Sequence, residues 1–173
     1  MKIENKALRE AYGLLRNRTP LGAYNCGKLC NAECCKGNAD CGMWLFPHEK
    51  EIFVKSENFT VKKTEGNFGY PMIVCNGECE RDERPLSCRI FPLFPAIVEE
   101  DGEEKIRILR DPRASMCPLI LDKSRLDQAF VRNVKLAGAF LAQDAEIREY
   151  MKKVTAQMLE IIELKKLLSA EKR

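Results

Sequence analysis

Nine cysteines in a chain of 173 residues constrain this sequence more than any other feature: Cys26, Cys30, Cys34, Cys35, Cys41, Cys75, Cys79, Cys88 and Cys117. Between Cys26 and Gly42 the chain carries five of them, with three glycines, two asparagines and few large apolar side chains. Such a segment has too little apolar surface to order itself, and a bound metal is the simplest agent that orders it. An odd total leaves one thiol over in any closed disulfide framework. No secretory leader is visible before Pro20, where charges are scattered and no apolar run occurs. In a reducing compartment a cysteine set of this kind reads as metal-binding or catalytic, with disulfides as the competing reading.

The remaining bulk properties narrow the setting. A hydrophobic share of 45% and a charged share of 32% suit a globular chain, and the length is enough for a real core beside the cysteines. A formal net charge of +3 gives no footprint for nucleic acid or an anionic bilayer. No stretch approaches the roughly 18 apolar residues of a membrane span. The expectation is a cytoplasmic protein with a metal ion, and a redox or protein partner, among its ligands, and with neither nucleic acid nor membrane.

Periodicity predicts an α+β fold in one domain over 1–173. A small cysteine-rich, metal-centred portion (26–118) with short β-hairpins packs against an N-terminal helix and a long helical C-terminal portion (122–170). Leu8, Ala11, Tyr12 and Leu15 recur at helical spacing between Asn5 and Asn17, and Thr19-Pro20 with Gly22 ends that helix. Pro47-His48-Glu49-Lys50 reads as a helix start. Two hairpins follow, one from Phe59 to Val74 around Glu65-Gly66-Asn67, the other joining Phe94–Glu99 to Lys105–Leu109 through Asp101-Gly102. Ser124 is the expected cap of a helix to about Gln143, and Asp144 of a second to about Leu168. The apolar stripe of this pair is expected to pack over the cysteine region.

The leading cluster is Cys26-x3-Cys30-x3-Cys34-Cys35-x5-Cys41. Thiolates are soft ligands for zinc, iron–sulfur clusters and copper(I). On a helix Cys26, Cys30 and Cys34 share one face, but Gly27 and the asparagines favour an irregular loop equally. Cys34 and Cys35 point apart in either regular geometry, so both ligate only where the backbone bends or where they serve different metals. The second group, Cys75-x3-Cys79-x8-Cys88 with Cys117-Pro118, matches neither a standard zinc-finger pair nor the ferredoxin run. His48 stands alone, so a metalloprotease helix is excluded and a surface or capping role is the expectation. Glu49 reads as a first-turn helix acid rather than a catalytic base. Arg84 or Arg89 is placed to donate hydrogen bonds to metal-bound sulfur, the competing reading being an ordinary salt bridge to an acid such as Glu83.

Taken in order, Cys26–Cys35, Leu45-Phe46-Pro47-His48-Glu49, Cys79 and Arg84-Pro85-x-x-Cys88-Arg89-x-Phe91-Pro92 resemble the YkgJ-type cysteine-cluster family. Its members are described as zinc- or iron-chelating domains and are often labelled iron–sulfur oxidoreductases. The resemblance spans roughly 26–118. It departs in the leading motif, where the family has two residues in each gap and this chain has three. It implies Cys26, Cys30, Cys34, Cys35 and Cys88 as ligands, then Cys79, with Cys41, Cys75 and Cys117 behind them. The expectation is therefore a protein that chelates zinc or iron through clustered thiolates. An iron–sulfur oxidoreductase or electron carrier, a metal carrier and a zinc-ordered interaction module are the alternatives, and no substrate or catalytic residue is indicated.

Overall fold

The computed structural model describes residues 2–36, 42–63, 69–77, 79–122 and 125–170. Its architecture is α+β, with antiparallel sheets and a long C-terminal helix. Helix α1 (Lys6–Leu14) forms where the periodicity places it. Asn5 caps it, its side chain accepting from Leu8 N at 3.1 Å. Leu8, Ala11 and Leu15 are fully buried. The same Asn5 donates through Nδ2 to Asp144 Oδ2 at 2.9 Å, and Asp144 accepts from Ile147 N at 3.0 Å as the cap of α5 (Ala145–Ala170). Two helix starts are thus tied through their capping side chains, each of which also satisfies an orphan N–H.

The short strands β1 (Met43–Trp44), β2 (Phe59–Lys62) and β3 (Met72–Cys75) form a small antiparallel sheet in the order β1-β3-β2. The first expected hairpin is the β2–β3 pair, while Glu65, Gly66 and Asn67 lie outside the described residues. Leu45, Phe53, Phe59 and Ile73 form a small core beneath this sheet, with Cys75 and Cys79 packed against it.

The second hairpin joins β4 (Leu93–Glu100) to β5 (Glu103–Arg110) in the register Glu100↔Glu103. Asp101 and Gly102 sit at φ 57° and 76°, the left-handed pair that a two-residue turn with matched strand twist requires. Residues Leu93 to Ile97 are buried in unbroken succession, because β4 lies under the C-terminal helices. One edge of β4 is closed by α5: Ile97 N donates to Thr155 Oγ1 at 3.1 Å.

Helix α4 (Gln128–Leu141) begins later than expected. Its cap is Asp127, whose Oδ1 accepts from Phe130 N at 2.7 Å; Ser124, the expected cap, lies outside the described residues. Aspartate one residue before the first periodic position competes well with serine for this role. Gly138 lets α4 approach β4 closely, since a Cβ there would lie 2.4 Å from Pro95 Cβ. The helical pair packs mainly on α1 and the β4–β5 hairpin rather than over the cysteine loop. That hairpin offers α4 and α5 the long apolar face which the 26–36 loop lacks. No helix among the described residues is long and apolar enough to cross a membrane.

Candidate metal centre

The first cysteine segment is neither a helix nor a shapeless loop. Two 3-10 turns, Cys26–Lys28 and Glu33–Cys35, are separated by Asn31 and Ala32 at φ 51° and 54°. Two successive left-handed residues reverse the chain, and Ala32 N closes onto Gly27 O at 2.7 Å. Within the second turn the adjacent cysteines do not point fully apart: Cys34 Sγ and Cys35 Sγ lie 3.9 Å from each other. None of the eight described cysteines is in a disulfide. Cys41 lies outside the described residues.

Distant segments bring the other sulfurs to the same place. Cys75 ends β3, Cys79 follows it, and Cys88 rides on α3 (Leu86–Ile90), which Pro85 starts and a cis Phe91–Pro92 bond follows. Together Cys26, Cys34, Cys35, Cys75, Cys79 and Cys88 line one cavity of about 330 Å³. A second cavity of about 20 Å³ adjoins it, lined by Cys26, Cys30, Cys34 and Cys117. All eight described cysteines therefore face one or both of two neighbouring cavities. Apart from these thiols, Glu33 is the metal-ligating side chain on the larger cavity's lining, and it pairs with Lys36 at 3.5 Å. Among the described residues no group of three or more His, Cys, Asp or Glu side chains stands close enough together to hold an ion.

Burial governs the thiols' chemistry. It pushes Cys88 far up and Cys79 up to about 11, with Arg84 pulling both the other way. The Cys34–Cys35 pair behaves as a unit: a hydrogen bond from Cys34, helped by the Arg84 charge and opposed by burial, lowers Cys35 to about 6, while Cys34 is pushed up. The pair thus yields a first thiolate near neutral pH and resists yielding a second.

The two arginines take different roles. Arg84 faces the cysteines: its guanidinium interacts with Cys79, Cys35 and Cys88, Nη2 reaches Cys79 O at 3.5 Å, and Nε is buried without a hydrogen-bond partner among the described residues. Arg89 turns away from them. It donates to Arg84 O and Asp82 O at 2.9 Å each and lies 4.7 Å over the Tyr12 ring. A role for Arg89 as donor to bound sulfur is therefore not what its contacts support; it fastens the backbone that presents Arg84. The proposed pairing of either arginine with Glu83 is also absent from their contacts, since Glu83 accepts from Asn58 Nδ2 at 2.6 Å. Arg81, which the sequence reading passed over, lines the larger cavity and donates to Leu15 O and Arg16 O at 3.1 and 3.2 Å, closing the end of α1 against it.

Glu49 departs most from expectation. It is not a surface acid on a helix's first turn but is fully buried, just before the short α2 (Lys50–Phe53). Its Oε1 accepts from the Tyr12 hydroxyl and from Leu86 N at 2.9 Å, and Oε2 accepts from Phe46 N at 2.7 Å. Burial raises its pKa, while these hydrogen bonds and the Arg89 charge hold it down. One carboxylate thereby joins α1, the 45–49 segment and the start of the helix that carries Cys88. The run Leu45-Phe46-Pro47 before it was the available signal, since it sits among residues bound for the core. His48 faces the other way, with Nε2 3.5 Å from both Asp144 and Glu146, as the surface reading expects.

A groove of about 1070 Å³ lies elsewhere, between β5, the 111–121 segment and the end of α5. It holds none of the cysteines. No protein-family model matches this chain, nor does any curated protein or solved structure match it.

Proposed function

We propose that this chain binds metal, chelating zinc or iron through clustered cysteine thiolates, the role that the resemblance to the YkgJ-type family implies. The observation that carries the reading is convergence. Cysteines from three separate stretches of sequence, 26–35, 75–79 and 88, border one cavity beside a buried arginine N–H that has no hydrogen-bond partner among the described residues. Buried free cysteines serve elsewhere as small apolar side chains, yet most of these are only partly buried and Cys34 is exposed. Packing alone does not account for them. The donor set is soft and almost wholly sulfur, which suits zinc or an iron–sulfur centre and not calcium or magnesium.

Within this reading the chain's own groups have distinct tasks. The Glu49 and Arg89 contacts fix α3 and the segment before it, and so the positions of Cys88 and Arg84. Arg84 offsets negative charge accumulating on the sulfurs and supplies N–H donors to them. A bound ion or cluster would add cross-linking of the loops and, if it contained iron, one-electron chemistry. An iron–sulfur redox centre is the second reading, favoured by a sulfur-lined cavity larger than a single ion needs.

Purification without oxygen, followed by metal and sulfide analysis and a visible spectrum, tests the proposal. Stoichiometric zinc in a colourless sample supports chelation with a structural or carrier role. Iron with sulfide and absorption near about 400 nm supports the second reading. A chain that carries neither metal, and takes up neither on reconstitution, overturns both.

A further inference from the structure

The β4–β5 ribbon has two edges, and the fold treats them differently. On β4 the outward N–H of Ile97 is taken by Thr155 Oγ1, and Pro95 has no N–H to leave open. On β5 the outer edge pairs with no strand among the described residues. The strand runs for eight residues, none of them buried. Which of its backbone groups face outward follows from the turn. A two-residue turn is closed by a hydrogen-bonded pair, here Glu100 and Glu103, and such pairs alternate along the ladder. Lys105, Arg107 and Leu109 therefore bond inward to β4, and Asp111 N, which donates to Pro92 O at 2.9 Å, continues that series. Glu104, Ile106, Ile108 and Arg110 turn their N–H and C=O groups outward. None of these four N–H groups has a hydrogen bond among the described residues. A long edge in this state is a template for another strand.

The order of the side chains selects the strand that fits. Glu104, Ile106, Ile108 and Arg110 share one face, with the acid at one end, the base at the other and two isoleucines between. A parallel copy would set acid on acid and base on base. An antiparallel copy centred on Arg107 sets Glu104 opposite the partner's Arg110 and Ile106 opposite the partner's Ile108, each pairing made twice. Opposite charges and β-branched pairs in register stabilise neighbouring strands, whereas like charges oppose them. Arg107 meets its own counterpart at the axis, but its guanidinium is already neutralised by Glu100, to which Nε donates at 2.8 Å. Glu104 is held at the strand by Arg148 Nε at 2.9 Å and Lys152 Nζ at 2.5 Å. Arg110 is exposed, where the strand opens on the groove beside the end of α5.

We propose that the outer edge of β5 is an interface for a second copy of this chain, the two ribbons joining antiparallel into one four-stranded sheet in the order β4-β5-β5-β4. The surface is separate from the cysteine cavities, so the proposal stands apart from the metal-binding reading. One strand pair buries little area beside a permanent dimer interface, so the association is reversible and concentration-dependent.

Sedimentation equilibrium of the full-length chain over a micromolar to millimolar series, with amide exchange followed residue by residue, tests it. The weight-average mass should rise from that of one chain towards that of two. The amides of Lys105, Arg107 and Leu109 should be protected throughout. Those of Glu104, Ile106, Ile108 and Arg110 should gain protection only as the dimer forms, slowing about tenfold when nine-tenths of the chain is dimeric. Arg110→Glu, which places acid against acid twice, should weaken the association by about tenfold or more. These measurements on the wild type need no variant to fold. A mass that stays at one chain across the series overturns the proposal. So does a dimer in which the four outward amides exchange as fast as in dilute solution, since its interface then lies elsewhere.

Discussion

Around Phe130, Val134, Leu141, Ile147 and Met151 every side chain is closed to water, and each lies on a helix whose cap is satisfied by a side chain. Around Cys34 and Cys35 the backbone is two short turns and a left-handed reversal, and of the eight described cysteines only Cys117 is buried. The first region is held by ordinary burial, at about 25 cal/mol for each Å² of apolar surface removed from water. The second has sulfur where the first has leucine and isoleucine. What the difference teaches is that the scaffold is held by apolar burial, while the cysteine face has little apolar surface of its own and, on the proposed reading, would be cross-linked by a bound metal. The Glu49 carboxylate is where the two meet, since it ties α1 of the scaffold to the helix bearing Cys88.

That junction offers the strongest way to break the comparison. Glu49→Ala leaves the Tyr12 hydroxyl and the N–H groups of Phe46 and Leu86 without their acceptor. A loss of about 3–5 kcal/mol in denaturant unfolding is expected, because buried donors left unpaired cost roughly 1–3 kcal/mol each and do not add fully. A loss below about 1 kcal/mol would mean that water replaces the carboxylate and that the junction is not dry. Arg84→Met sharpens the contrast from the other side. It should weaken zinc affinity by about 10- to 100-fold in competition with a chelator, with little change in unfolding free energy. Arg89→Met should do the reverse, lowering stability by about 2 kcal/mol, since its guanidinium holds two backbone carbonyls.

Within the scaffold, Gly138→Ala should lower stability by about 1–3 kcal/mol in the same unfolding assay, because the new methyl meets Pro95 and α4 must move off β4. It should leave metal binding unchanged. The smallest effect expected is on pH dependence. The folded chain holds the Glu49 proton more tightly than the unfolded chain does, so the ionised group opposes folding. Its contribution to stability should rise as pH falls through the raised folded-state pKa towards the ordinary carboxylate value of about 4.3, and disappear as pH rises above that window. Urea midpoints across this range should show the slope in the wild type and lack it in Glu49→Gln.

The scaffold was legible in the sequence because its signals are local. Leu8, Ala11, Tyr12 and Leu15 share a helix face, Asp101-Gly102 supplies the two left-handed residues of its turn, and Asp144 caps α5. The start of α4 was misread because Asp127 outcompetes an earlier serine, a choice that depends on where Phe130 must be buried. In the cysteine region the residue types were legible and their arrangement was not. Asparagine tolerates the left-handed region, as Asn31 does here, but nothing local marks Ala32 as left-handed, and it lacks the freedom of glycine. The convergence of Cys35 with Cys75 and Cys88 depends on how two separate cores come together. Glu49 and Arg89 were misjudged for the same reason. The partners of Glu49 are Tyr12 and Leu86, 37 residues away on either side, and those of Arg89 are the Tyr12 ring and the Asp82 and Arg84 carbonyls.

The central claim is that thiolates are the ligands, and X-ray absorption at the zinc edge tests it most directly on the full-length chain loaded with zinc and desalted without oxygen. The account predicts a first shell of sulfur alone at about 2.3 Å. A shell of nitrogen or oxygen at about 2.0–2.2 Å would contradict it, as would a chain from which desalting removes all the zinc.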